Sequence, residues 1–215
     1  LMVALPAGWL PVQSERSGHL NATTSGHDSS SGAQILVGLG AIVLFYAGAL
    51  GFWVFLERIG DAAGHSNVMI GTVLAWALGA GALGGLGPVW LGDRVGIAWP
   101  IVASTSILIG VVLVTVGSVT APLFALGAVV FNGMWIFATA YQTALIAKLD
   151  RHGGYTVLIP AAQGAGAMIG PAMASMFVQG DQYLPVNIST VAFFTISLLL
   201  FLVVLRRYGV AAVPQ

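Results

Sequence analysis

Six apolar segments, each long enough to cross a lipid bilayer, constrain this chain more than any other feature. They occupy residues 33–58, 66–91, 97–117, 121–147, 155–178 and 186–205. A hydrocarbon core about 30 Å thick requires about 20 helical residues at about 1.5 Å each. No segment shows the alternation of a transmembrane β-strand, and a lone segment in lipid satisfies its backbone only as a helix. The sequence therefore predicts an all-α membrane protein with six transmembrane helices.

The composition supports a chain that is surrounded by lipid. Of its 215 residues, 58% are hydrophobic and only 7% are charged, whereas a soluble domain carries about 25% charged residues. The formal net charge is zero, which argues against binding to nucleic acid. There is no cysteine for a disulfide or a thiolate site, and the four histidines lack ligand spacing. The sequence thus predicts no metal and no cofactor.

Changes in composition divide the chain into four parts. Residues 1–12 are apolar but too short to span a bilayer, and we interpret them as the end of a preceding transmembrane helix. Residues 13–32 are rich in Ser, Gly and Thr, which is typical of a flexible polar linker. Residues 33–208 form the six-helix transmembrane domain, and residues 209–215 form a C-terminal tail.

The positions of the basic residues predict the orientation. With six crossings, the linker, the second and fourth loops and the C-terminus lie on the same side of the membrane. Six of the seven basic residues fall on that side: Arg16, Arg94, Lys148, Arg151, Arg206 and Arg207. Only Arg58 falls toward the other side. The positive-inside rule places the linker and the C-terminus in the cytoplasm, and we expect a multi-pass protein of the plasma (inner) membrane.

The loop between the second and third segments carries a short motif, Val-Trp-Leu-Gly-Asp-Arg-Val-Gly at residues 89–96. It resembles the loop signature of the Major Facilitator Superfamily, roughly Gly-x-Leu-Ala-Asp-Arg-x-Gly-Arg-Arg. The positions that match are Leu91, Asp93, Arg94 and Gly96. The first Gly is replaced by Val89 and the final basic pair is missing, as in the weaker copy in the second half of these transporters. The resemblance implies that Asp93 and its neighbours gate the transporter, and a structural turn is the alternative.

The fifth segment carries a stripe of small residues, because Ala162, Gly166, Gly170 and Ala174 recur at every fourth position. Together with Pro171, the stripe resembles the superfamily's Gly-x-x-x-Gly-Pro-x-x-Gly-Gly motif, although the last two Gly are replaced. Small residues at this spacing also let helix backbones approach closely in lipid. Close helix packing with a proline kink is therefore the alternative interpretation.

These resemblances together imply that the chain is the C-terminal half of a twelve-helix Major Facilitator Superfamily transporter. Such a half is built from two inverted three-helix repeats. The implied function is secondary active transport of a small solute by alternating access, with protons as the candidate coupling ion. The implied partners are the solute, the lipid bilayer and the missing N-terminal six-helix half.

Two sets of residues are candidates for the substrate pathway. In the first segment, Tyr46, Trp53 and Glu57 share a helical face, and an ionisable residue inside a span is by default a functional candidate. The alternative places Glu57 at the outer interface.

The fourth segment supplies the second set, in which steps of three, four and three residues place polar and aromatic groups on one face: Asn132, Trp135, Thr139 and Gln142. This face either lines the pathway or hydrogen-bonds neighbouring helices.

Two other functions compete with this one. A complete six-helix protein that forms a homodimeric pore or carrier is the alternative to half of a transporter. An intramembrane enzyme is disfavoured, because the chain has no Cys, no Ser placed with a His inside a span and no paired Asp within the segments. The sequence therefore predicts a protein that is not an enzyme.

Overall fold

The structure is a bundle of α-helices, without a β-strand among the described residues. The computed structural model describes residues 25–211, except residues 118, 151, 152, 179 and 181. The side chains of residues 25–31, 93 and 209–211 are likewise outside the description. Residues 1–12, residues 13–24 of the predicted linker and the last four residues of the predicted tail therefore lie outside the described residues.

Seven α-helices follow one another along the described part of the chain: α1 (Ser25–Trp53), α2 (Leu56–Ala62), α3 (Asn67–Leu91), α4 (Ala98–Val114), α5 (Ala121–Leu149), α6 (Ile159–Phe177) and α7 (Leu184–Ala211). Two 3-10 helices, Gly92–Val95 and Thr156–Leu158, precede α4 and α6. Each of the six predicted segments thus contains a helix.

Five helical stretches are long and apolar enough to cross a membrane: Gly32–Ala62, Asn67–Leu91, Ala121–Leu149, Thr156–Phe177 and Leu184–Tyr208. They indicate a multi-pass, all-α membrane protein. Helix α4 is apolar but has only 17 residues, so at about 1.5 Å per residue it is about 26 Å long and shorter than a full span. The described residues therefore support five spanning helices and a sixth, shorter one.

The first segment differs from its prediction at both ends. Helix α1 begins at Ser25, inside the predicted linker. It is also interrupted at Val54 and Phe55, because the amide of Phe55 donates to the carbonyl of Phe52, three residues back, at 3.1 Å. The buried face continues across the interruption, because Phe52, Leu56 and Ile59 are all buried at helical spacing.

Glycines bring two pairs of helices into backbone contact. Gly166 of α6 lies against the Val43 carbonyl of α1, and Gly170 lies four residues further along α6, against the Ala47 carbonyl. The contacts advance in the same direction on both helices, so α1 and α6 are parallel. Helices α3 and α5 form a second parallel pair, in which Gly84 meets the backbone of Gly133. Such close approach is the main source of helix association in lipid, where no hydrophobic drive acts between helices.

The helix pairs repeat across the bundle. The parallel pairs are α1 with α6 and α3 with α5, and the antiparallel pairs include α1 with α7 and α4 with α5. Exchanging the set α1–α3–α4 with the set α5–α6–α7 maps these four pairs onto one another, whereas the contact between α6 and α7 has no counterpart of similar extent between α3 and α4. Since α1 and α5 run in opposite directions, the two sets are inverted relative to each other.

Phenylalanine side chains fill the centre, where α1, α5 and α7 meet. The rings of Phe52 and Phe131 lie 4.8 Å apart, those of Phe45 and Phe194 lie 5.3 Å apart, and those of Phe131 and Phe194 lie 6.2 Å apart. All four side chains are fully buried. Tilted aromatic pairs at these distances stabilise a core beyond the area that they bury.

The glycine contacts make a direct prediction. We expect Gly170→Ala to lower the free energy of unfolding by about 1–3 kcal/mol, because the new methyl would lie 2.7 Å from the Ala47 carbonyl carbon. The matched control is Gly164→Ala on the same helix, where a methyl meets nothing within 4 Å. Unfolding of the purified protein in detergent measures both, and equal stability of the two variants would contradict the backbone contact.

Asp150 connects the end of α5 to the start of α6. Its Oδ2 accepts hydrogen bonds from the amides of Tyr155 and Thr156 at 2.8 and 2.7 Å, and from the Thr156 hydroxyl at 2.8 Å. Burial alone raises the pKa of Asp150, but the hydrogen bonds from the Thr156 side chain and from the amides of Thr156, Tyr155 and Gly153 outweigh it and lower the pKa. The ionised carboxylate therefore holds this turn.

The lowered pKa of Asp150 predicts a pH dependence. The carboxylate contributes its full stabilisation above the ordinary pKa of 3.8, and the contribution is lost as the pH falls through the lower pKa of the folded state. We expect Asp150→Asn to melt at a lower temperature than the wild type at pH 7, and we expect the difference to shrink below about pH 4. A constant difference across this range would mean that the charge of Asp150 is unimportant.

Candidate functional site

Four of the predicted pathway residues meet between α1 and α5, and we call this cluster the aromatic seam (Tyr46, Trp53, Trp135 and Thr139). The Tyr46 hydroxyl donates to Thr139 Oγ1 at 3.3 Å. The Trp135 ring lies 6.0 Å from the Tyr46 ring and 6.4 Å from the Trp53 ring. The two faces that the sequence predicted on separate helices therefore form one cluster.

The aromatic seam is half-buried, and its hydrogen bonding is incomplete. Thr139 donates its own proton to the Trp135 carbonyl at 3.0 Å. The indole Nε1 of Trp135 is enclosed and has no hydrogen-bond partner. Because a buried donor without a partner costs about 1–3 kcal/mol, this group favours a binding partner that accepts a hydrogen bond.

Gln142 lies one turn beyond Thr139 along α5 and extends the polar face. Its side chain is 1% exposed, and neither its amide nitrogen nor its oxygen has a partner. Gln142 lies between Thr139, which contacts Tyr46, and Ile146, whose side chain packs against Gly38. The periodicity of α5 therefore places Gln142 on the side that faces α1.

Asn132 has a different environment from the other predicted pathway residues of α5. It is buried, and its side-chain oxygen lies against Gly81 of α3. A glycine at this point leaves room for the carboxamide between the two helices. The structure thus assigns Asn132 to the contact between α3 and α5, which is the interhelical alternative that its sequence position left open.

Glu57 does not join the aromatic seam. The interruption after Trp53 places Glu57 in the first turn of α2, where its side chain is exposed. Its exposure agrees with the alternative that places Glu57 at the outer interface, and its pathway role stays a prediction. Its neighbour Arg58 is also exposed, and the guanidinium lies 5.8 Å from the Phe55 ring.

Both glycines of the loop motif occupy positions where the backbone has a positive φ. Gly92 begins the 3-10 helix and Gly96 follows its last residue, with φ of 54° and 64° in the left-handed region that favours glycine. Arg94 is exposed in the same turn. The side chain of Asp93 lies outside the described residues, so its predicted gating role stays a prediction.

The small-residue motif of α6 packs directly on α1. Gly166 and Gly170 are buried against α1, and Pro171 is half-buried inside α6 without ending the helix. A contact between helices accounts for both glycines, which is the packing interpretation. Sequence reasoning missed the matching use of Gly84 in α3, although its Gly-rich run was visible in the sequence.

A metal site was also sought in the part of the chain that the structure describes. Those residues contain no group of three or more His, Asp or Glu side chains that could hold a metal ion.

Comparison of the chain with protein-family models, with curated proteins and with solved structures gives no match. The functional argument therefore depends on the geometry of the helices and of the aromatic seam.

A double-mutant cycle tests the hydrogen bond that joins α1 and α5 in the aromatic seam. We expect Tyr46→Phe and Thr139→Val to show a coupling free energy of about 0.6 kcal/mol, the typical value for hydrogen bonds between membrane helices. Unfolding of the two single variants and the double variant in detergent measures the coupling. Additive effects of the two substitutions would contradict a direct bond between Tyr46 and Thr139.

Proposed function

We propose that this chain is part of a secondary transporter that moves a small solute across the membrane by alternating access. The observation that carries the proposal is the aromatic seam at the junction of two inverted three-helix sets. Secondary transporters commonly combine inverted repeats with a binding site at the repeat interface. Helices α1 and α5 are the first long helices of their sets, and they meet at the seam.

The way in which the two glycine-packed pairs meet supports movement at the seam. Within each pair the backbones touch, as Gly170 does with Ala47 and Gly84 does with Gly133. Between the pairs, by contrast, α1 and α5 meet through the side chains of the seam and of the phenylalanine core. A pair with backbone contact moves as a unit, whereas side-chain contacts between units rearrange at lower cost.

We further propose that the transporter is of the Major Facilitator type, with this chain as its C-terminal half. The loop motif and the α6 motif carry the resemblance, and the inverted three-helix sets agree with it. The remaining half of the pathway would then come from an N-terminal six-helix half. Proton coupling is part of this proposal, but it has no carboxylate in the seam, since Glu57 lies outside it.

A homodimeric pore or carrier is the second candidate, and the bundle leaves apolar surface at which two copies would meet. The bundle buries only 22% of the most apolar window of Asn67–Leu91 and 28% of that of Thr156–Phe177, against 61% of that of Gly32–Ala62. Helices α3 and α6 therefore present wide apolar faces that lipid, the N-terminal half or a second copy could cover.

Transport assays in proteoliposomes test the proposal, on this chain joined to the N-terminal six-helix half that the proposal requires. Solutes are first identified by thermal stabilisation of the protein, since a ligand that binds only the folded state raises its stability. We expect saturable uptake, and acceleration when unlabelled solute is present on the other side. A pore would show neither saturation nor this acceleration, and that result would refute alternating access.

Substitutions of two tryptophans link transport to the seam. We expect Trp135→Leu to reduce solute uptake at least tenfold with normal amounts of folded protein, because the indole forms the centre of the seam. Trp76→Leu is the matched control, since Trp76 lies on α3 with its side chain 68% exposed. Equal uptake by both variants would remove the aromatic seam from the pathway.

A further inference from the structure

A groove separates the C-terminal half of α4 from the first half of α7. It has a volume of about 400 Å³, and its lining includes Leu113, Val116, Asn187, Val191, Ala192 and Ile196. It follows α7 from Asn187 to Ile196, a separation of nine helical steps and therefore about 14 Å at about 1.5 Å per step. Leu113 and Ile196 are exposed, so the groove is open on the side where lipid would contact these helices.

Asn187 is the polar exception at one end of this apolar groove. Its side chain is only 3% exposed, and its Nδ2 donates to the Val112 carbonyl of α4 at 3.2 Å. This bond orients the carboxamide, so that Oδ1 is left as a hydrogen-bond acceptor. Oδ1 is enclosed and has no partner. A buried acceptor of this kind is costly unless a donor reaches it.

Water alone is a poor partner at this position. A buried water needs two to four polar contacts. The other polar side chain that lines the groove is Thr195, eight residues and therefore about 12 Å away from Asn187 along α7. One water molecule cannot contact both groups. The groove instead fits a molecule that places one donor at Asn187 and apolar atoms along the remaining length.

We propose that the groove binds a long-chain lipid of the bilayer through a hydroxyl that donates to Asn187 Oδ1. Asn187 lies three residues after Leu184, the first residue of α7, and so near the end of a spanning helix, where the polar part of a lipid lies. The chain of the lipid would extend along Val191 and Ile196 toward the middle of the bilayer. The inference requires that the helices span a membrane, and it is independent of transport.

A second groove on the other side of α4 provides an internal comparison. It lies between α4 and α5, has a volume of about 280 Å³, and is lined by Leu123, Leu126 and Val130 among others. Its one polar side chain, Thr115, already donates to the Val112 carbonyl at 2.8 Å. This groove is equally apolar but lacks an enclosed acceptor without a partner, so we expect it not to distinguish a hydroxyl from an ether.

The test uses two probes of the same chain, oleyl alcohol and oleyl methyl ether, in which a methyl group replaces the hydroxyl proton and so removes the donor. Binding of each to the full chain in detergent is measured by native mass spectrometry and by thermal stabilisation. We expect the wild type to bind the alcohol about fivefold more tightly, as one hydrogen bond to a buried acceptor predicts. We expect Asn187→Leu to bind both probes equally. In this variant the Val112 carbonyl keeps a hydrogen-bond partner, because Thr115 still donates to it, and this favours folding.

A second pair of variants keeps the proposal testable if Asn187→Leu does not fold. Ala192→Phe fills the groove while retaining Asn187, and we expect it to lose binding of both probes. Leu126→Phe adds the same ring to the α4–α5 groove and should leave the preference for the alcohol unchanged. Equal binding of the probes to the wild type, a preference that survives in Asn187→Leu, or no binding at all would overturn the proposal. A wild-type dimer that Ala192→Phe dissociates would assign the groove to a second copy of the chain instead.

Discussion

The contact between the backbones of α1 and α6 is the constraint on which the rest of the arrangement depends. Gly166 and Gly170 let α6 reach the carbonyls of Val43 and Ala47, a distance that any side chain would prevent. The same contact fixes the aromatic seam, because a methyl on Gly166 would lie 2.7 Å from Cβ of Tyr46. Cβ of Tyr46 therefore lies against α6, while its hydroxyl points toward α5. In lipid, where apolar side chains gain little by leaving their solvent, this packing replaces the hydrophobic drive of a soluble core.

Glycines also bring α3 and α5 together, and one residue that the sequence predicted for the pathway takes part in this packing. Helical periodicity placed Asn132 on a face with Trp135, but it could not say which helix each residue would meet. Gly81 leaves the space that the Asn132 carboxamide occupies, and so Asn132 belongs to packing while Trp135 belongs to the seam. The seam is consequently the place where two internally tight pairs meet through side chains.

The length and apolarity of the segments were sufficient to predict helices within every segment, because the bilayer sets the length of a spanning helix. The faces of α1 and α5 could also be predicted, since Tyr46 and Trp53, and Trp135 and Thr139, recur at helical spacing. The interruption at Val54 and Phe55 could not be predicted, as neither Pro nor Gly occurs at that point to indicate it. The exposure of Glu57 could not be predicted either, because helical spacing alone does not say where the bundle ends. Pairing between distant helices, such as the bond from Tyr46 to Thr139, depends on the whole bundle and leaves no local signal.

The polar groups inside the bundle differ in how they are satisfied. Several hydroxyls bond to carbonyls, as Ser104 does to Pro100 within α4 and Ser197 does to Ala41 across two helices. The hydroxyls of Thr105, Tyr141 and Thr190 are enclosed without a partner. A hydroxyl needs only one acceptor, which a helix supplies from its own backbone. A carboxamide carries two donors and an acceptor, and an indole carries one donor. Gln142 and Trp135 have no such bonds, and both lie on the side of α5 that faces α1. Their unmet hydrogen bonding costs free energy, and water or a polar solute in the seam has the chemistry to offset that cost.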